Sequence, residues 1–236
     1  MDFDHYKGIL FDLDGVLVNT MPLHYAAWKQ TAADVGVILS REEIYKREGE
    51  KGDKTAKDIL ALASLDASQT NVRQLLEKKE ALYKAGLPVG PVEGAEELLS
   101  LLKTQGKHLG LVTGSSSRDV DALLSPDFLR YFDVVVTSDQ ILQGKPDPQS
   151  YLLAKTLLKL EAEDILVIEN APYGIRAAKG AGLYCIALRT SLPDHYLSEV
   201  DRVVDGLTDV RGLLLDKSFL CPGKTQHADQ DANAVK

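Results

Sequence analysis

The chain alternates short, unbroken apolar runs with longer stretches of helical period. Gly8-Ile9-Leu10-Phe11 is the first run, and Leu109-Gly110-Leu111-Val112, Val134-Val135-Val136, Ile165-Leu166-Val167-Ile168, residues 183–188 and Arg202-Val203-Val204 follow it. Runs without polar alternate positions are what strands buried on both faces require. Between them the period predicts helices over 95–105, 117–124, 148–160 and 172–181. Strand and helix therefore alternate through the second half of the chain. That alternation predicts an α/β fold, a doubly wound and mostly parallel Rossmann-like sheet covered on both faces.

The interval between the first two strands breaks the alternation, because it stays helical throughout. Pro22 suits a first helical turn, and the helix over 23–35 meets a stop at Gly36. Ser40 with Glu43 forms a capping box for a short helix ending near Gly49. Two further helices are expected over 54–62 and 68–84, and Gly86, Pro88, Gly90 and Pro91 read as a return linker. The pattern predicts a helical domain at 19–89, inserted into a core made of 1–18 and 90–216. Residues 217–236 are polar with few apolar anchors and read as a disordered tail.

The ends of the predicted strands carry the candidate chemistry. The first run ends in Asp12-Leu13-Asp14-Gly15, two carboxylates one residue apart on the rim where parallel sheets bind ligands. Such acids repel each other unless a cation or a shared proton intervenes, and hard oxygen ligands favour Mg²⁺, which is used mostly with phosphates. An Asp-x-Asp-Gly string also opens calcium loops, but the fifth and twelfth loop positions here hold Val16 and Leu23, which cannot ligate. Later strands lead into Thr113-Gly114-Ser115-Ser116-Ser117, Asp139 and Gly144-Lys145-Pro146-Asp147-Pro148, and Glu169-Asn170. Singly these are ordinary: the hydroxyls could cap a helix, as Ser116 with Asp119 suggests, and Lys145 could be a solvated loop lysine. Their ordered occurrence after separate strands is not ordinary.

This ordered set resembles the haloacid dehalogenase superfamily of phosphohydrolases, and within it the β-phosphoglucomutase-like subgroup of small sugar-phosphate phosphatases and mutases. The resemblance runs from about residue 7 to about residue 215. It implies that Asp12 attacks phosphorus to form an aspartyl-phosphate, and that Asp14 is the acid and base, its backbone carbonyl on the metal. It implies that Thr113, Gly114 and Ser115 bind the transferring phosphoryl group, that Lys145 neutralises charge there, and that Glu169 and Asn170 complete a Mg²⁺ shell formed with Asp12 and Asp14. Many relatives carry an acid at the place of Asn170; its amide oxygen can still coordinate Mg²⁺, with one negative charge fewer. The resemblance also implies a four-helix cap over the site.

Within the subgroup, mutases have a cap-loop arginine that grips a second phosphate, and Gly52 stands at that place here. Without that guanidinium fork a hydrolase of a small phosphorylated metabolite, a sugar phosphate or pyrophosphate, is expected, with a β-phosphoglucomutase-type mutase as the alternative. A non-enzymatic phospho-receiver also uses clustered acids, a hydroxyl and a lysine, but the separation of the acids by Leu13 and the length of the chain argue against it. Substrate choice is expected in the cap. Glu48 stands at the end of a predicted helix, where the dipole prefers a cation, and Lys79 interrupts the apolar stripe of Leu75, Leu76, Leu82 and Tyr83. His24 matches a histidine that faces the active site in the subgroup.

Composition adds less. The 236 residues are 44% hydrophobic and 26% charged, and the net charge of −8 disfavours nucleic acid and anionic membranes as partners. Cys185 and Cys221 are too few and too far apart for a disulfide framework or zinc site. No apolar run reaches the length of a membrane span, so a cytoplasmic monomer is expected.

Overall fold

The computed structural model describes residues 3–215. Strand β1 (Gly8–Phe11) is buried along its whole length because it is central, pairing in parallel with β2 (His108–Val112) on one side and β4 (Ile165–Glu169) on the other. Alternate β1 side chains face opposite layers, as the pleat demands. Ile9 and Phe11 pack with Leu109, Leu111, Leu166 and Ile168 in one core, whereas Leu10 packs with Val112 and Val167 in the other. Burial of each such side chain contributes about 1.5–3 kcal/mol, so both layers depend on this strand.

The remaining elements follow in chain order. Helices α1 (Met21–Ala33), α2 (Arg41–Tyr45), α3 (Gly52–Leu62) and α4 (Gln69–Ala85) all lie between β1 and β2, with α5 (Ala95–Thr104) leading into β2. After β2 come α6 (Ser117–Leu123), α7 (Pro126–Leu129), β3 (Val134–Val136) and α8 (Gln149–Leu158). Beyond β4 come α9 (Pro172–Gly180), β5 (Tyr184–Leu188), β6 (Arg202–Val204) and α10 (Leu207–Leu215). The sheet order is β3-β2-β1-β4-β5-β6 and every pairing is parallel. Helices α5, α6 and α10 supply one face of the core, and α8 and α9 the other. This is the doubly wound Rossmann-like arrangement, with the order reversing beside β1, where such sheets bind ligands.

Two features depart from the pattern read along the chain. The short capped helix near Ser40 stops at Tyr45 and gives way to turns, because Glu48 and Glu50 bond back three residues to Tyr45 and Arg47, and Gly49 has φ +79°. Helices α7 and α10 were not anticipated; α7 is a single turn capped by Ser125. The tail expected to be disordered, with Cys221, lies outside the described residues.

Helices α1 to α4 enclose a third apolar cluster built on Met21, Trp28, Ala32, Ile44, Ile59 and Leu75. The chain leaves and re-enters the sheet domain by adjacent segments: Val18 bridges Pro91, and Val92 donates to the Leu17 carbonyl. Gly15 (φ +80°) makes the turn out of β1, and a Cβ there would lie 2.1 Å from Asn170 Nδ2.

The centre of the sheet has no spare room. Leu10 sits over Gly110, its register partner, and a Cβ at Gly110 would lie 2.5 Å from Leu10 Cδ2 and 2.9 Å from Val134 Cγ2. Gly110→Ala is expected to destabilise the protein by about 1–3 kcal/mol through overpacking. Urea denaturation measures this, and an unchanged midpoint contradicts the packing described here.

Candidate active site

Four chain segments meet around one buried ammonium group. Lys145, in the loop after β3, is 3% exposed. Its Nζ donates to Asp12 Oδ1 at 2.6 Å, to Glu169 Oε1 at 2.6 Å and to the Val112 carbonyl at 3.2 Å. Asp12 directly follows β1, Val112 ends β2 and Glu169 ends β4, so the lysine joins the carboxyl ends of the three central strands. Burial disfavours the ammonium form, but the charges of Asp12 and Glu169 outweigh it and raise the Lys145 pKa. Burial pushes the Asp12 carboxyl up to about 8 although Lys145 opposes it, and the nearby charges of Glu169 and Asp14 add to the rise.

Asp14 stands in contrast. Its carboxylate accepts hydrogen bonds from Thr20 Oγ1, from Ser115 Oγ at 3.1 Å and from Thr113 Oγ1 at 3.5 Å, and lies 3.4 Å from His24 Nε2. Burial alone would raise its pKa, but the hydrogen bond and charge of His24, with the Thr20 and Ser115 bonds, hold it down at about 2. His24 is itself pushed down, by burial first and by Lys79 second, against the pull of Asp14. Two acids one residue apart thus sit in opposite electrostatic settings. Thr20 escaped the sequence reading: it stands at the N-cap of α1 but makes no capping bond, because its hydroxyl is spent on Asp14.

The hydroxyl loop divides its labour. Ser115 reaches Asp14, while Thr113 Oγ1 also accepts from the Ser115 amide at 3.0 Å. Ser116 caps α6, accepting from the Asp119 amide and donating to the Asp119 carboxylate at 2.7 Å. Gly114 lies against the loop after α2: a Cβ on it would come within 2.9 Å of the Gly49 backbone. Gly49 in turn leaves no room beside Lys145, whose Cδ would be 2.5 Å from an added Cβ. Lys51 Nζ completes this seam by donating to the Ile141 carbonyl at 2.8 Å.

Glu169 and Asn170 are both within 1% of full burial. Glu169 is saturated: Oε1 accepts from Lys145 and from Tyr151 OH at 2.8 Å, and Oε2 accepts from the Asn170 amide at 2.9 Å. Nothing in the α8 sequence distinguished Tyr151 from an ordinary core aromatic. Gly174 is required beside this carboxylate, since a Cβ there would fall 1.8 Å from Glu169 Oε1. Asn170 differs. Its Nδ2 donates to Ser191 Oγ at 2.8 Å, whereas its buried Oδ1 has no hydrogen-bond partner among the described residues. An unpartnered buried amide oxygen beside a surplus of carboxylate charge suits a hard cation such as Mg²⁺. Asp12, the Asp14 segment and Asn170 fit that ion; Glu169, expected in the same shell, has both oxygens engaged and meets Asn170 through its backbone amide and Asp12 through Lys145.

His24, Glu48 and Lys79 line one cavity of about 320 Å³ between the helical insert and the Thr113–Ser116 loop. Glu48 lies in the turns beyond α2 and not within the helix, so the helix-dipole reading of it falls. The Glu48 carboxyl is raised well above its usual range by burial and by the charges of Asp14 and Asp12. Lys79 Nζ lies 4.8 Å from the Tyr83 ring centre and 5.7 Å from that of Trp28. Leu82, counted in the same stripe, is 37% exposed on another side of α4.

Removing the ammonium at the centre leaves Asp12 and Glu169 buried and facing each other. Lys145→Met is expected to cost about 3–5 kcal/mol near neutral pH in metal-free buffer. The Asp12 carboxyl already stands above its unfolded value, and without the lysine it rises further, so the deficit develops as pH rises and shrinks as pH falls. Denaturation at several pH values checks this, and a deficit that grows on acidification contradicts it.

The profile of haloacid dehalogenase-like hydrolases matches residues 9–188. The chain is 36% identical over 212 residues to the validoxylamine A 7'-phosphate phosphatase of Streptomyces hygroscopicus subsp. limoneus, a match spanning 87% of this chain and 96% of that protein. It is 29% identical over 220 residues to the β-phosphoglucomutase of Bacillus subtilis, spanning 90% and 95% of the two chains. Among solved structures, CbbY from Rhodobacter sphaeroides in complex with phosphate superposes with a TM-score of 0.71 at 27% identity, covering 87% of this chain and 96% of that one. With its parallel sheet and the acids at the end of the central strand, the chain belongs to the haloacid dehalogenase-like hydrolases.

Proposed function

We propose that the protein is a Mg²⁺-dependent phosphatase that hydrolyses a small phosphorylated metabolite through an aspartyl-phosphate on Asp12. The observation that carries this is a pair of neighbouring contacts at the end of β1: Lys145 on Asp12 at 2.6 Å, a charge neutraliser on the nucleophile, and Ser115 on Asp14 at 3.1 Å, a phosphoryl-binding hydroxyl on the acid–base group. Lys145 holds Asp12 Oδ1, which leaves Oδ2 to attack phosphorus as the ester P–O bond breaks. Thr113, Ser115 and the backbone at Gly114 orient the phosphoryl oxygens. A divalent cation held by Asp12, the Asp14 carbonyl and Asn170 would offset negative charge between nucleophile and phosphoryl group.

Asp14 serves both halves of the reaction. Held at about 2, it is a carboxylate ready to take a proton from the water that attacks the aspartyl-phosphate. A dianionic ester arriving beside it raises its affinity for a proton, which it then gives to the departing oxygen in the first half. The products are the alcohol and inorganic phosphate, and Asp12 is regenerated.

The insert acts as the cap in this reading. Its cavity is walled by Trp28, Ile44, Leu76 and Tyr83 as well as by charges, which suits a carbon-bearing leaving group better than a bare second phosphate. Pyrophosphate is the second reading, favoured by the small cavity and by Glu48, whose carboxyl, raised well above its usual range, can hold a proton to donate to a second phosphate. Arg47 lines the cavity but is committed to Glu50 at 3.0 Å and Asp58 at 2.6 Å, so it is not free to grip a second phosphate. Hydrolysis is therefore favoured over a mutase reaction.

Asp12→Asn is expected to abolish Mg²⁺-dependent release of phosphate while the folded circular dichroism spectrum is kept; turnover near that of the unmodified enzyme contradicts the covalent step. β-Glucose 1-phosphate, if hydrolysed, is expected to yield free phosphate and glucose. Rapid formation of glucose 6-phosphate, stimulated by a bisphosphate primer, would replace the hydrolase by the mutase.

A further inference from the structure

Tyr83 carries a hydroxyl that the fold does not use. The residue is 3% exposed and lines the cavity, yet its OH is buried and has no hydrogen-bond partner among the described residues. Its ring is fully employed: the His24 ring lies against it at 4.5 Å and Lys79 Nζ sits over it at 4.8 Å. A phenylalanine would preserve every one of those contacts without burying an unpaired polar atom. Packing therefore accounts for the ring and leaves the oxygen unexplained.

A second polar group enters the same cavity from the opposite side. Asp119 belongs to α6 of the sheet domain, and its Oδ2 accepts from Ser116 Oγ at 2.7 Å, which fixes the carboxylate. Beyond the phosphoryl site the cavity thus presents the Tyr83 phenol and the Asp119 carboxylate, with Glu48, Glu80, Lys79 and Arg47 also in its lining. The phenol can donate to or accept from a hydroxyl group and an ionised carboxylate accepts from one, while the charge of Asp119 repels a further anion.

We propose that Tyr83 and Asp119 read the leaving group: the Tyr83 phenol bonds one hydroxyl of the departing alcohol, and Asp119 accepts from another and excludes a second phosphate. Resting on the phosphatase reading above, this assigns the choice among hydroxylated monophosphate esters, and the exclusion of bisphosphates, to these two side chains. A site that has a buried polar group waiting for a hydroxyl discriminates strongly against analogues that lack it. Tyr83 lies on the cap and Asp119 on the core, so a leaving group that satisfies both also favours the closed arrangement.

The test compares kcat/KM for the best substrate among hexose and hexitol monophosphates, its bisphosphorylated counterpart, and acetyl phosphate, whose leaving group has no hydroxyl to read. Tyr83→Phe is expected to lower the ratio of polyol phosphate to acetyl phosphate by about tenfold. Asp119→Asn, which keeps the shape and the Ser116 contact, is expected to raise the ratio of bisphosphate to monophosphate by about tenfold. A deoxy substrate lacking the contacted hydroxyl should be insensitive to Tyr83→Phe, a coupling that a merely structural tyrosine would not produce. Unchanged ratios in both variants, or an unmodified enzyme that prefers acetyl phosphate to every polyol phosphate, overturn the leaving-group reader while the phosphatase stands. An unmodified enzyme inert toward all three classes with Mg²⁺ present overturns the phosphatase reading and the reader with it.

Discussion

The buried ammonium of Lys145 is the contact on which the rest of the site depends. It bonds the Asp12 carboxyl just beyond β1, a carbonyl at the end of β2 and the carboxylate at the end of β4. Each of those acids would be costly to bury alone. The parallel sheet brings them together because its central strands all end on one rim, and the loop after β3 is long enough to deliver the cation. Tyr151 donates to the same Glu169 oxygen as Lys145, and backbone amides donate to the other, so both oxygens of the hub carboxylate are satisfied.

The same rim explains how two acids one residue apart come to differ. Two acids separated by one residue would share a face if β1 ran on as an extended strand, but β1 ends at Phe11 and the chain turns away at Gly15, which has φ +80°. Asp12 therefore turns toward Lys145 and Glu169, while Asp14 lies among Thr20, His24, Ser115 and Thr113. One carboxyl meets neighbouring acids and burial; the other meets hydrogen-bond donors. In the proposed reaction this separation would supply an attacking group and a proton-transfer group from a single Asp-x-Asp string.

Much of this was legible along the chain because the relevant signals are local. Unbroken apolar runs marked the strands, and the polar residues just beyond them marked the rim. The groups that escaped notice act over long separations. Thr20, Tyr151 and Tyr83 each look like a helix-terminal hydroxyl or a core aromatic until folding sets them beside Asp14, Glu169 and His24. Glu48 was noticed for a wrong reason: the helix before it ends at Tyr45, and Gly49, with positive φ, turns the chain so that the carboxylate enters the cavity. The expectation of a metal gained physical support from the Asn170 oxygen, unpaired among the described residues, and from Asp14, His24 and Glu48, whose possible ligand atoms lie within 4.8 Å of one another; no spacing rule reveals either.

The central claim is that phosphorus changes partners twice, first to Asp12 and then to water. Each in-line displacement inverts the configuration at phosphorus, so two restore it. The direct measurement is the stereochemical course of hydrolysis of a phosphate ester made chiral at phosphorus with oxygen isotopes and sulfur. Overall retention is the result expected of the aspartyl-phosphate route, and inversion, the mark of direct attack by water, would contradict it.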